Sequence, residues 1–178
     1  MGAEQLDPLA ELASFDAAAR ELLLLCDGDP ARLATIVPAV SGWSALAHVA
    51  HVSLANELVL KNLASLQKGE GLLVQREATP NPEALRIIAS GVLPPGAQSP
   101  RMVRPPSDLD HAMARAWAAG VAELVPRFAA GTDPARLERL WIPHQVLGPL
   151  DFAQWARFGA MHTRHHLGIA RAALAAGA

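Results

Sequence analysis

Cysteine is almost absent from this chain: its 178 residues include one, Cys26. That excludes an intramolecular disulfide and any zinc cluster built from cysteines, and it removes the need for an oxidising compartment. An excess of one charge is missing as well. Fifteen Lys and Arg stand against 17 Asp and Glu, a net charge of −2, with no long run of either sign. Nothing here makes an electrostatic footprint for nucleic acid or an anionic membrane surface. Nor do aromatic and basic residues interleave as a base-stacking surface requires. No apolar stretch approaches the roughly 18 residues of a membrane span. The opening Met1-Gly2-Ala3-Glu4-Gln5-Leu6-Asp7 lacks the basic segment and apolar run of an export signal. These absences lead us to expect a cytoplasmic protein without nucleic-acid or membrane partners. Internal repeats are missing, low complexity is confined to an alanine-rich tail, and strand-like alternation is hardly supported anywhere.

What is present is apolar bulk and helix punctuation. An apolar content of 51% and a mean hydropathy of +0.19 can fill one hydrophobic core, so a single domain over 1–178 is expected. Asp or Asn precedes proline at Asp7-Pro8, Asp29-Pro30, Asn81-Pro82 and Asp133-Pro134. Each pair puts a capping oxygen before a residue suited to the first helical position. Ser107 with Asp110, and Asp151 with Gln154, resemble capping boxes. Gly28, Gly69, Gly91 and Gly131 sit where helices need to stop.

These signals predict long helices over about 8–27, 44–68, 108–129 and 151–175, with short helical pieces near 30–38, 82–90 and 134–140. Pro126 is expected to kink or shorten the third long helix. From Leu93 to Ser107 the chain carries Pro94, Pro95, Pro100, Pro105 and Pro106, which forbids regular helix and predicts an extended surface crossover. The expected fold is all-α: a four-helix bundle with one long proline-rich crossover, outside the simple up-down-up-down pattern.

The last helix is the most informative. At about 100° per residue, Trp155, Gly159, His162, His166 and Ala173 fall within roughly 40° of one direction, flanked by Phe158 and Ile169. Arg157, Arg164 and Arg171 take the opposite direction, which marks that side as solvent and the histidine side as interior. His162 and His166 are one turn apart, about 6 Å along the axis, close enough to converge on one ion. In the second long helix His51 shares a stripe with Ala47, Leu54, Ala55 and Leu58, with Ser44 as its N-cap. Three inward histidines from two facing helices match the way bundles build metal sites, and three ligands leave positions open for water or substrate. The competing reading is of core histidines bonded to carbonyls or other side chains.

Around these residues the chain resembles the DinB-like, also called YfiT-like, bundle superfamily of metal-dependent enzymes, over nearly its whole length. The second helix of that family begins Trp-Ser and carries a ligand histidine eight residues after the tryptophan, matched by Trp43, Ser44 and His51. Its last helix carries H-x-x-H-H-L, matched by His162-Thr163-Arg164-His165-His166-Leu167. The run from His144 to Leu150, followed by Trp155, resembles the family's lead-in to that helix. Three departures stand out. Ala47 replaces an acidic residue often found four after the tryptophan, which leaves the Ser44 capping box incomplete. Gly168-Ile169-Ala170 stands where a glutamine is common, and Gln145 where a proline is.

The resemblance implies His51, His162 and His166 as metal ligands, with zinc or nickel the ions expected. Relatives with assigned activities include hydrolases and transferases or isomerases that use a low-molecular-weight thiol such as mycothiol, bacillithiol or glutathione. Both classes would work through the same ion, by a metal-bound water in the first and a bound thiolate in the second. With Asp and Glu sparse near the triad, hydroxide on the metal would itself serve as base. Arg101 and Arg104 on the crossover are the candidates for holding a thiol's carboxylate. His48 and His165 point about 80° to 90° away from their neighbours in the triad and are assigned either to backing a ligand or to the pocket edge. His144 is assigned a capping or surface role, although it could reach the open face of the metal. Trp43, Phe152, Trp155 and Phe158 are expected as core and pocket wall, and Cys26 as a small core hydrophobe. A small-molecule substrate and a homodimer through apolar helix faces complete the expectation. The alternative is a non-catalytic, stress-related bundle that acts in binding or dimerisation.

Overall fold

In the computed structural model, which describes residues 6–94 and 99–177, each of the four Asp/Asn-Pro pairs opens a helical turn. Asp7 accepts from the amides of Leu9 and Ala10 and opens α1 (Pro8–Leu25). Asp29 opens α2 (Pro30–Ala34), Asn81 opens α4 (Pro82–Ser90), and Asp133 opens a single 3-10 turn (Pro134–Arg136). The proline has no amide to satisfy and its φ is already helical, so a single side-chain oxygen suffices. Ser44 caps α3 (Ala45–Lys68) through the amide of Ala47. Asp151 and Gln154 form the full capping box of α6 (Phe152–Ala176). At α5 (His111–Ala130) the cap is Asp110, bonded to the amide of Met113; the expected Ser107 start is displaced three residues. Gly69 and Gly91 end α3 and α4 at φ 70° and 71°, which residues with a β-carbon rarely adopt.

The long helices are α1, α3, α5 and α6. Each of α1 and α3 packs against both α5 and α6, so consecutive α1 and α3 lie across the bundle from each other, as do α5 and α6. Hydrogen bonds give the directions. Glu11 and Glu21 of α1 meet Arg157 and Arg171 of α6 in the same order, so α1 and α6 are parallel. His48 meets His166 and His51 meets His162, so α3 and α6 are antiparallel. His111 at the start of α5 bonds the carbonyl of Cys26 at the end of α1. Gln67 near the end of α3 bonds Gly131 just past α5, so α3 and α5 run parallel. Parallel neighbours need a connection that travels the length of the bundle. Residues 69–110 provide it, with α4 and a 3-10 turn (Arg101–Val103) along the way. The expected crossover is therefore present, apart from 95–98, Pro95 included, which lie outside the described residues; so does the start at 1–5.

Four expectations need correction. The piece at 30–38 stops at Ala34, because Thr35 is extended at ψ 128° and β-branched Ile36 and Val37 lead into Pro38. The piece at 134–140 is only the 3-10 turn. Beyond it, where no strand was expected, β1 (Ile142–His144) and β2 (Gly148–Leu150) form a hairpin in the register Ile142↔Leu150. Pro143 faces Pro149 across it, a pairing without backbone donors, and three-residue strands are too short to display alternation. The indole Nε1 of Trp155 donates to the carbonyl of Ile142 at 3.1 Å and ties the hairpin to α6. Pro126 does not shorten α5, which continues to Ala130.

The core is mostly aliphatic and holds Phe15, fully buried, with Leu12, Val59, Leu63 and Val121 in the same cluster. Cys26 is buried as expected, and burial pushes its thiol up to about 11, which keeps it protonated and unreactive. The heptad-spaced arginines of α6 do not simply face solvent. Arg157 pairs with Glu11, Arg164 donates to the carbonyl of Ser14, and Arg171 pairs with Glu21, so the three clamp α6 onto α1. No helix among the described residues is long and apolar enough to cross a membrane.

Candidate metal centre

Buried polar side chains are concentrated where α3 meets α6. His48, His51 and Asn56 on α3 and Thr163 on α6 are all buried there, in an interior where polar groups are costly unless partnered. Ser53 and Thr163 bond back to the carbonyls of Val49 and Gly159, and Asn56 donates to Thr163 at 2.9 Å.

His51, one and a half turns into α3, is 2% exposed. Its Nδ1 donates to the carbonyl of Val103 at 2.8 Å. A carbonyl can only accept, so the proton sits on Nδ1 and Nε2 carries a lone pair. That Nε2 stands 3.3 Å from Nε2 of His162. His166 is held from its far side: its Nδ1 lies 2.9 Å from Nδ1 of His48, which leaves Nε2 free. The three rings form a nearly equilateral group, with centroids 5.1, 4.7 and 4.7 Å apart. One ligand atom from each of His51, His162 and His166 lies within 4.8 Å of the other two.

Burial keeps all three rings neutral, because a charged imidazole loses its hydration there, and each ring also discourages its neighbours from taking a proton. Burial, together with the repulsion that a protonated His51 would exert, holds His162 down to about 3. Burial lowers His51, against the pull of the Val103 carbonyl, and burial with the surrounding histidines lowers His166 furthest. Lone pairs are therefore available at neutral pH.

This donor set fits a divalent transition ion. Imidazole nitrogens at about 2.0–2.1 Å from a tetrahedral ion stand about 3.3 Å from each other, which matches the His51 to His162 separation of 3.3 Å. Nδ1 of His162 has no hydrogen-bond partner among the described residues, nor has Oδ1 of Asn56. The His162 ring is thus held by its stack on Phe158, at 5.4 Å and 14°, and through Nε2, the nitrogen that faces His51.

The other candidates fall outside the trio. Nδ1 of His144 accepts from the amides of Val146 and Leu147 and caps the hairpin turn. Its ring lies 4.5 Å from Phe158, and burial lowers its pKa to about 4. His165 meets the edge of His166, at 89°. Trp43 leans on His48 and His51 at 5.5 and 5.1 Å and forms one wall. Arg101 opens and Arg104 follows the turn whose Val103 carbonyl holds His51, and Arg104 is bonded through Nε to the carbonyl of Ser99. Sequence reasoning missed two contributors, the Val103 carbonyl and Ser41, whose hydroxyl lies 2.9 Å from Nε2 of His48. A main-chain carbonyl has no residue-type signal, and Ser41 precedes the helix and lies outside its periodicity.

Comparison with known proteins agrees with this architecture. A sequence profile of the DinB superfamily matches residues 14–170. The crystal structure of TT2238, a four-helix bundle protein, superposes with a TM-score of 0.56 at 20% identity, over 91% of this chain and 96% of that one. Among curated proteins, none matches the sequence.

Proposed function

This chain belongs to the DinB superfamily, and on that premise we propose that it is a divalent-metal-dependent enzyme whose protein ligands are His51, His162 and His166. The reaction we propose is of the hydrolase or low-molecular-weight-thiol transferase type, on a small-molecule substrate. The observation that carries this reading is the convergence of three neutral imidazole donors within 4.8 Å. No acidic or cysteine side chain joins that group among the described residues, a set suited to zinc or nickel. An ion held there would act as a Lewis acid that makes a water or thiol nucleophilic near neutral pH.

The chain's own residues supply orientation and a dry wall. The Val103 carbonyl holds the proton of His51 away from the site, Phe158 fixes the plane of His162, and Trp43 closes one side. Three protein ligands leave positions for exchangeable groups, as sites built for chemistry do. The thiol-transferase branch draws support from Arg101 and Arg104, either side of Val103, where guanidinium groups could bind a thiol's carboxylate. A homodimer through apolar helix faces belongs to the same proposal, and light scattering checks it.

The test is metal content per chain by elemental analysis of the purified, untagged protein and of His162→Ala. Near-stoichiometric zinc or nickel that is lost in the variant supports the site. Assays with thiol plus electrophile, against hydrolysable esters and amides, then separate the branches, and Arg101→Ala with Arg104→Ala should raise KM for the thiol in the first. No metal after reconstitution with several ions would overturn the reading in favour of a non-catalytic bundle.

A further inference from the structure

His48, expected either to back a ligand or to line the pocket edge, is 4% exposed and occupies the middle of a chain of hydrogen bonds. The amide of Trp43 donates to Oγ of Ser41 at 3.0 Å, that oxygen lies 2.9 Å from Nε2 of His48, and Nδ1 of His48 lies 2.9 Å from Nδ1 of His166. Two neutral imidazoles that meet through Nδ1 share one proton between them, so their tautomers are locked together. For His166 to offer the lone pair of Nε2, its proton must sit on Nδ1 and point at His48. His48 must then accept through Nδ1 and carry its own proton on Nε2. That proton goes to Ser41, whose oxygen has two lone pairs, one for His48 and one for the amide of Trp43. The alternative arrangement would aim an N–H of His166 at the other two histidines, where it would displace an ion.

We infer that His48, backed by Ser41, is a positioning residue that accepts the Nδ1 proton of His166 and holds that ring in its metal-binding tautomer. The inference rests on the proposed metal site. Ligand histidines commonly donate their second N–H to a carbonyl or carboxylate, and loss of such a partner typically weakens metal binding by about 10- to 100-fold. Here the carbonyl of Val103 does this for His51, and an imidazole does it for His166. His48 touches the ligand without belonging to the trio, which explains a buried histidine that would otherwise be an unneeded polar group in the core.

The experiment is zinc affinity of the full chain by competition with a chromophoric chelator, for wild type, His48→Leu, His48→Asn and Ser41→Ala, with circular dichroism to verify folding. The Asn side chain places Oδ1 where Nδ1 of His48 stands and can accept the same proton, whereas Leu fills similar space and cannot. His48→Leu should lose about 10- to 100-fold in affinity, His48→Asn should recover most of that, and Ser41→Ala should fall between. In zinc-loaded wild type, nitrogen NMR of the imidazoles should show His48 protonated on Nε2. Equal affinity for wild type and His48→Leu, or no rescue by His48→Asn, overturns the inference and leaves the metal site standing. If His48→Leu does not fold, Ser41→Ala and the His48 tautomer decide. A wild type that takes up no zinc would overturn the site itself, and this inference with it.

Discussion

The ring of Phe15 lies against the bare Cα of Gly159, with three of its carbons 3.0–3.1 Å from where a β-carbon would stand. This contact brings α1 tight against α6 one turn before His162. It also explains why a glycine, which costs about 1 kcal/mol relative to alanine in a helix interior, is kept there. Phe15 is fully buried, so its ring can yield only by shifting against packed neighbours. Gly159→Ala should therefore overpack the core by about 1–3 kcal/mol, offset in part by the gain in helix propensity. We expect a net loss of about 1 kcal/mol in urea unfolding, and an unchanged or raised stability would contradict this packing.

Metal removal should lower stability, because an ion that binds only the folded trio stabilises by mass action. With free zinc at about 100 times Kd the effect is about 2.7 kcal/mol. For a chain of this length that is about 5–10 °C in Tm. Scanning calorimetry with zinc and with a chelator should show that difference in wild type and none in His162→Ala.

The metal-free protein should lose stability on acidification. Burial holds His48 and His144 down to about 4, against an ordinary value of 6.5. Between those values the unfolded chain binds protons that the folded chain excludes, so stability rises with pH across that window and is fully present above 6.5. Each such histidine should cost up to about 2 kcal/mol between pH 6.5 and 5. Urea midpoints at pH 7 and pH 5 check the sign, and a midpoint higher at pH 5 would refute it.

The clamps between α1 and α6 should not be equivalent. Arg157 and Glu11 pair at 3.0 Å with side chains 26% and 14% exposed, whereas Arg171 and Glu21 pair at the same distance at 56% and 45%. Arg157 also donates to the carbonyl of Ala89. Solvent screens the outer pair, which should contribute less than about 0.5 kcal/mol, while Arg157→Met should cost about 1–2 kcal/mol. Equal losses in thermal unfolding would show that exposure does not set their worth.

Helix starts and the inward histidines were legible in the sequence because both are local. Asp7, Asp29, Asn81 and Asp133 announce themselves by the proline after them, and the spacing of His162 and His166 puts both on the face shared with Trp155 whatever that face meets. In α3 His51 does lie inward, although its expected stripe of Ala47, Leu54, Ala55 and Leu58 is only half-buried. Tertiary structure alone decided which helices are neighbours, because the periodicity of α1 is the same whether it packs on α3 or lies across the bundle from it. It also decided the hairpin at 142–150, where two opposed prolines and a bond from Trp155 outweigh strands too short to carry a pattern. The tautomers of His51 and His166 belong to the same class. They depend on the Val103 carbonyl, 52 residues from His51, and on His48, 118 residues from His166. The position of a proton on an imidazole is set by whatever lies within about 3 Å of it, and folding, not residue order, brings those atoms there.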